Sequence, residues 1–488
     1  MYRVPDQRHT APEGASERVI TRLTPQDASF YRLESSSNPI HIGSLAILNN
    51  SSPDTEGQVL DYERLVDLVE SRLPMVPRYR RKVREIPLAM GRPVWVEDSR
   101  FDISYHIRRS ALPGPGSDSQ LYDLVARLAS RPLDQGRPLW EMYLIEGLAD
   151  GRAAVFTKSH SALVDGDTAL EIGHVILDNS PLPRELADDA WRAPREPTDV
   201  ELLAGALSQL AAQPREAYSV MRDAGSNAFG VVRGTRMAVK AAANVVRAAT
   251  ASAAPDSPLN ARTSRSRRFD VVRTDLDDYR TIRRHFDCSI NDAVLAVVTG
   301  ALRNWLLSRN EALIESTNLR AVVPMSVYVD GDNQLTPASE VSSFLIDLPV
   351  GEPNPTMRLS HISPATEATG RQRRGVRART LVHLAGFAPA SLHAMSVRAA
   401  STFADNSFNL VITNAPGPQT AMYIGGARML EMYPVSPLLR NQTLSFGLTS
   451  YDGQVFYGLN ADRDAMADID VLAASVHESM EELLGACL

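Results

Sequence analysis

The sequence predicts an α/β protein (an α+β sandwich) of two domains, residues 21–180 and 269–488, joined by a mainly helical crossover over 181–268. Three observations predict it. A chain of 488 residues is too long for one ordinary hydrophobic core. Segments of helical and of strand periodicity alternate in both halves, as a layered fold requires. Between the halves the composition changes: Pro181 to Pro197 is rich in proline and charge, and Leu202 to Ala251 is dominated by Ala, Val and Arg.

Residues 1–20 are polar and carry no apolar core of a secretion signal, so they read as a flexible lead-in. Thr24 can cap a helix whose first residue is Pro25. His41 to Leu48 reads as a buried strand. Tyr62 to Leu73 has helical spacing, with Leu65, Val66, Leu68 and Val69 on one face, and Leu121 to Ala129 forms a second amphipathic helix. Trp140 to Leu148 and Ala153 to Lys158 are strand-like, and Thr168 to Leu177 returns to helical spacing. In the second half Phe269 to Val272 is extended and Asp277 to Phe286 is helical. Ser289, Asn291 and Asp292 then precede a long apolar helix from Ala293 to Leu307. The runs Leu319 to Pro324, Ser343 to Leu348, Leu410 to Thr413, Gln442 to Ser450 and Val455 to Asn460 read as strands.

The formal net charge of −7 gives no electrostatic case for a nucleic-acid partner. Cys288 and Cys487 are the only cysteines, so neither a disulfide framework nor a CxxC metal pattern exists, which suits a reducing cytosol. No apolar run approaches the roughly 20 residues that span a bilayer. Contact with lipid is therefore expected to be peripheral, with the protein cytoplasmic and associated at most with a membrane surface. Between Asp223 and Asp256 there is no acid, while Arg233, Arg236, Lys240 and Arg247 fall there. The segment reads first as a linker helix packed on the domains, and second as a helix lying on an anionic membrane. Arg265, Arg267 and Arg268 read as a solvated charge run, or as partners for phosphates.

The run Lys158 to Gly166 carries the chemistry. It lies where a strand passes into a helix, a place from which side chains project into a cleft. Asp165-Gly166 is a turn pair and Asp167 can cap the following helix, so a purely structural reading is available. The functional reading starts from acyl transfer, which needs a base for a hydroxyl proton, donors for a tetrahedral oxyanion and a water-poor cleft. A histidine is mostly neutral near pH 7 and can serve as the base. A serine hydroxyl cannot hold the proton.

These residues resemble the HHxxxDG signature of the bacterial wax ester synthase/diacylglycerol acyltransferase family. His160 falls on the first His, Ser161 on the second, and Asp165 and Gly166 on the DG. Further landmarks are similar and in the same order: Leu23 to Phe30, Ile40-His41-Ile42-Gly43, Pro138-Leu139-Trp140, Asn291-Asp292, Thr413 to Pro418 and Tyr433 to Pro437. In that family the second His is the general base, so the resemblance implies an acyl-CoA-dependent O-acyltransferase with a modified base position. It implies two chloramphenicol acetyltransferase-like domains of the coenzyme A-dependent acyltransferase superfamily, with the site in a tunnel between them. Long-chain acyl-CoA would enter from one side and diacylglycerol or a long-chain alcohol from the other. No metal or redox cofactor is implied, acyl-CoA being a substrate, and lipid-droplet contact is a further expectation. His160 and Ser161 become the candidate catalytic residues, with Asp165 and Gly166 holding the loop. Asn291, Asp292 and Asn414 become candidate substrate contacts, although capping and turn formation explain them equally. Two other functions stand beside transfer: a lipid- or acyl-CoA-binding homologue that lost its base, and a condensation-type acyltransferase.

Overall fold

The structure, a computed structural model, describes residues 21–35, 37–50, 59–163, 172–184, 191, 194–212, 253–329, 338–370, 375–378 and 407–487. Two seven-stranded mixed sheets carry the fold. In the first the order is Ile107–Ala111, Trp140–Glu146, Arg152–His160, His41–Asn49, Ala427–Val435, Tyr423–Ile424 and Leu177–Asp178. In the second it is Gly375–Ala378, Ala338–Leu348, Leu319–Val329, Leu410–Pro416, Leu444–Tyr451, Gln454–Asp462 and Arg267–Asp275. A three-stranded sheet of Thr21–Arg22, Val94–Glu97 and Arg81–Arg84 stands apart.

The expected division into residues 21–180 and 269–488 does not describe the first sheet. The second half lends it two strands, and Ala427–Val435 runs antiparallel to His41–Asn49 with Tyr433 opposite Leu45 and Pro434 opposite Ser44. The physical reason lies in the core: Met429, Met432 and Tyr433 are buried with Leu45, Ile47, Trp140, Leu144 and Phe156. Covering the apolar face of the first sheet therefore takes residues from both halves.

Local signals set the helices. Thr24 Oγ1 accepts the Asp27 N–H at 3.1 Å and Pro25 opens the helix Pro25–Leu33. Ser117 and Gln120 form a reciprocal cap for Asp118–Ser130, as do Ser289 and Asp292 for Ile290–Ser308. The latter helix is apolar nearly all round because it is buried, with Val297, Leu302 and Trp305 inside the second core. At Gly300 a Cβ would collide with Ser479 of the helix Ile469–Gly485, so close helix packing needs glycine there. The helix Asp199–Ala212 belongs to the expected crossover, and its Leu202 and Ala206 pack on Ile86, Val94 and Val96 beneath the small sheet. Leu177, expected at the end of a helix, begins the short strand Leu177–Asp178 after the helix Ile172–Val175. The lead-in 1–20, the basic segment containing Arg233 to Arg247, and Asp165 to Thr168 lie outside the described residues. No helix among the described residues is long and apolar enough to cross a membrane.

Candidate active site

The motif strand Arg152–His160 lies inside the first sheet, flanked by Trp140–Glu146 and His41–Asn49, with His160 directly opposite His41. It runs two residues further than the sequence suggests, because the His160 N–H donates to the Leu139 carbonyl at 2.9 Å and extends the pairing. Ser161 begins the turn that follows. Its N–H donates to the Ile40 carbonyl at 3.1 Å, and the Leu163 N–H closes on the His160 carbonyl at 2.9 Å.

His160 is fully buried, and its Nδ1 accepts the Ala162 N–H at 3.0 Å. That bond places the proton of the neutral ring on Nε2. Nε2 lies 3.6 Å from Oε2 of Glu34, whose other oxygen lies 2.6 Å from Nε2 of His41. Gln135 Nε2 donates to Glu34 Oε2 at 3.3 Å. Burial alone would raise the Glu34 pKa, but the contacts with His41 and His160 outweigh it and hold the carboxyl at about 2. Burial lowers the His41 pKa against the pull of Glu34. His41 Nδ1 has no hydrogen-bond partner among the described residues. His41 lines a cavity of about 10 Å³, room for roughly one water, whose walls include Lys158 from the first half, Arg267 from the end of the crossover, and Val435 and Asn460 from the second half.

Ser161 is also buried, and its Oγ donates to the Ile40 carbonyl at 3.0 Å. The imidazole of His160 does not take over the neighbouring position: one nitrogen receives a backbone N–H and the other faces Glu34. The ring holds the turn. Asp165 and Gly166, expected to support the loop, lie outside the described residues.

The Ile40 to Gly43 and Pro138-Leu139-Trp140 landmarks meet here. Leu139 receives the His160 N–H, and the Trp140 indole donates to the Tyr79 carbonyl at 2.8 Å while stacking on His106 at 4.6 Å between ring centroids. Lys158 Nζ lies 3.0 Å from Glu141 Oε2 and donates to the carbonyls of Leu128 and Arg131. Gly43 lets strands meet closely, since a Cβ there would lie 2.6 Å from the Thr157 carbonyl oxygen.

Asn291, Asp292 and Asn414 are brought together elsewhere. Asn414 Nδ2 donates to Asn291 Oδ1 at 2.6 Å. The Asp292 carboxylate accepts the Ser289 N–H at 2.9 Å, Thr366 Oγ1 at 2.5 Å and Ser363 Oγ at 3.3 Å. All three residues line a cavity of about 860 Å³, along with Arg283, Cys288 and Gln419; neither His160 nor Ser161 is among its described lining residues. The capping reading thus holds for Asp292, and the two asparagines line a cavity whose described walls do not include the motif residues. Arg267 is not solvated: it is buried, lies 3.5 Å from Asp462 and donates to the Ser37 carbonyl at 2.7 Å.

Glu34 was not legible as a site residue. It sits in a polar stretch, Glu34 to Asn38, that reads as a loop. The only signal near it was His41, within the Ile40 to Gly43 landmark.

The two sheets, with the motif strand inside the first and the second half completing that sheet, define a coenzyme A-dependent acyltransferase fold. A starter condensation domain of rhizomide synthetase shares it at a TM-score of 0.51 and 11% identity, over 96% of this chain and 94% of that one. The chain belongs to the wax ester synthase/diacylglycerol acyltransferase family: the catalytic-domain model of that family matches residues 23–294 and its C-terminal domain matches 339–484. The wax ester synthase/diacylglycerol acyltransferase from Marinobacter aquaeolei VT8 superposes at a TM-score of 0.65 and 26% identity, covering 96% of this chain and all of that one. A probable diacylglycerol O-acyltransferase of Mycobacterium tuberculosis H37Rv, tgs1, is 33% identical over 476 residues, 95% of this chain and 96% of its own. Another from that strain, tgs3, is 48% identical over 273 residues, 55% of this chain and 98% of its own.

Proposed function

We propose that this chain is an acyl-CoA-dependent O-acyltransferase that converts diacylglycerol to triacylglycerol, or a long-chain alcohol to a wax ester, with a serine where its family uses a general base. The observation that carries the reading is family membership along the chain, with the His41, Trp140 and His160 landmarks meeting around one strand end.

The acceptor hydroxyl oxygen bonds to the thioester carbonyl carbon, the carbon–sulfur bond breaks, and coenzyme A leaves as thiolate. The hydroxyl proton ends on that sulfur, so the exchange balances without a cofactor. Ser161 Oγ donates to the Ile40 carbonyl, and this oxygen, at the family's base position, orients the acceptor hydroxyl. It does not store the proton, which travels by water. The rate is lower than with a positioned histidine, by roughly 10²- to 10⁴-fold on the usual scale. Asn291 and Asn414 offer amide groups to a substrate in the 860 Å³ cavity. Asp165 and Gly166 keep their role as loop support, and contact with lipid is peripheral.

A second reading is a binding protein for acyl-CoA or lipid without turnover. It is favoured by the hydrogen bonds that tie Ser161 Oγ and His160 Nδ1 to the backbone. Incubation with radiolabelled acyl-CoA and diacylglycerol, hexadecanol or an acyl-carrier thioester separates these readings. Labelled triacylglycerol or wax ester supports transfer. Bound but unconverted acyl-CoA supports the binding protein, and transfer from the carrier alone supports condensation-type chemistry.

A further inference from the structure

We propose that Glu34 is a positioning residue of the transfer site: its carboxylate selects the Nε2–H tautomer of His160 and so fixes the turn that carries Ser161. The inference rests on the acyltransferase reading for its kinetic consequence, but not for its structural one.

Glu34 follows the helix Pro25–Leu33 as its C-cap, and its side chain is only 4% exposed. A carboxylate so buried is costly unless N–H groups meet it. Gln135 Nε2 donates to it at 3.3 Å, and two imidazole nitrogens lie beside it, His41 Nε2 at 2.6 Å and His160 Nε2 at 3.6 Å. Facing a carboxylate, each imidazole is most stable with its proton on the near nitrogen. For His160 this leaves Nδ1 bare, which is the form that accepts the Ala162 N–H. The other tautomer would set an Nδ1–H against that backbone N–H, and the turn would lose its anchor. The same carboxylate holds His41, whose neighbour Ile40 supplies the carbonyl that receives both the N–H and the Oγ–H of Ser161. One acid therefore governs both sides of the turn.

A carboxamide at this position has one acceptor oxygen, so it can satisfy one ring and must present an NH₂ group to the other. The test is Glu34→Gln beside Glu34→Asp, read three ways. Steady-state kinetics with acyl-CoA and diacylglycerol should show kcat lowered about 10- to 100-fold in Glu34→Gln, the scale of a misplaced reacting group. KM for acyl-CoA should change less than about twofold, and Glu34→Asp should recover part of kcat. Thermal melting should show that the variants are folded. NMR of ¹⁵N-histidine-labelled protein, with His160 assigned by the signal missing in His160→Gln, should show the Nε2–H tautomer in the native chain and a shift towards Nδ1–H in Glu34→Gln. Native kcat in folded Glu34→Gln overturns the proposal. So does a native His160 in the Nδ1–H form, a result that needs no variant at Glu34 to fold. If the native chain transfers no acyl group, the functional reading fails, and the tautomer measurement alone decides the role of Glu34.

Discussion

Lys158 Nζ lies 3.0 Å from Glu141 Oε2, and this buried ion pair ties the motif strand to the strand that opens with Trp140. Burial lowers the Lys158 pKa and the Glu141 contact opposes that shift. The ammonium also holds the Leu128 and Arg131 carbonyls at the end of the helix Asp118–Ser130. It therefore joins three elements two residues before His160. Lys158→Met should cost about 3 kcal/mol, towards the lower end for a broken buried pair, because Arg108 stays 3.1 Å from Glu141. Urea unfolding of the variant checks this, and an unchanged midpoint contradicts it.

Asn414→Ala should leave the Asn291 amide without its partner and weaken substrate binding. One net hydrogen bond is worth about 0.5–1.5 kcal/mol, so KM for acyl-CoA should rise roughly 2- to 12-fold. Because the asparagines line a cavity whose described walls do not include Ser161, kcat should change less. A loss confined to kcat would place Asn414 near the reacting atoms instead.

Glu34 links stability to pH with a defined sign. Its folded pKa, about 2, lies below the ordinary value of 4.5, so its contribution is fully present above about pH 5 and is lost as pH falls through 2. Between about pH 5 and pH 3 the native chain should lose about 2 kcal/mol that Glu34→Gln does not lose. Denaturant unfolding at the two pH values measures the difference. Parallel losses in both proteins would show that Glu34 is not ionised in the fold.

Much of the fold was legible because it rests on local chemistry. Thr24 before Pro25, and Ser289 with Asp292, cap the helices that follow them, and the apolar run after Asp292 is the buried helix it resembles. The strand at 427–435 was not legible: Pro434, which has no N–H, falls within it and disguises a strand that fills the first core. At the site, the order of landmarks in the sequence marked His41, Trp140 and His160 but not their mutual contacts. Glu34 stayed hidden because a single acid in a polar loop has no periodicity, and only the folded chain brings it to two imidazoles 7 and 126 residues further on. His160 is a candidate for catalysis because it is the imidazole of the motif. The bond from the Ala162 N–H, a contact two residues along the same turn, which the sequence does not show, makes the ring an anchor of that turn.

Acyl transfer by this chain, at a rate limited by Ser161, is open to one test. The most direct measurement compares the native chain with Ser161→His in one radiolabelled acyl-CoA assay with diacylglycerol, after thermal melting has shown both to be folded. A histidine there restores a group able to take the hydroxyl proton, and turnover should rise at least about tenfold, a figure set below the usual range for a positioned base. Measurable triacylglycerol from the native chain and that increase in the variant are the results predicted. Equal turnover in the two folded proteins would show that Ser161 does not limit the rate, and no product from either would leave the chain a binding protein.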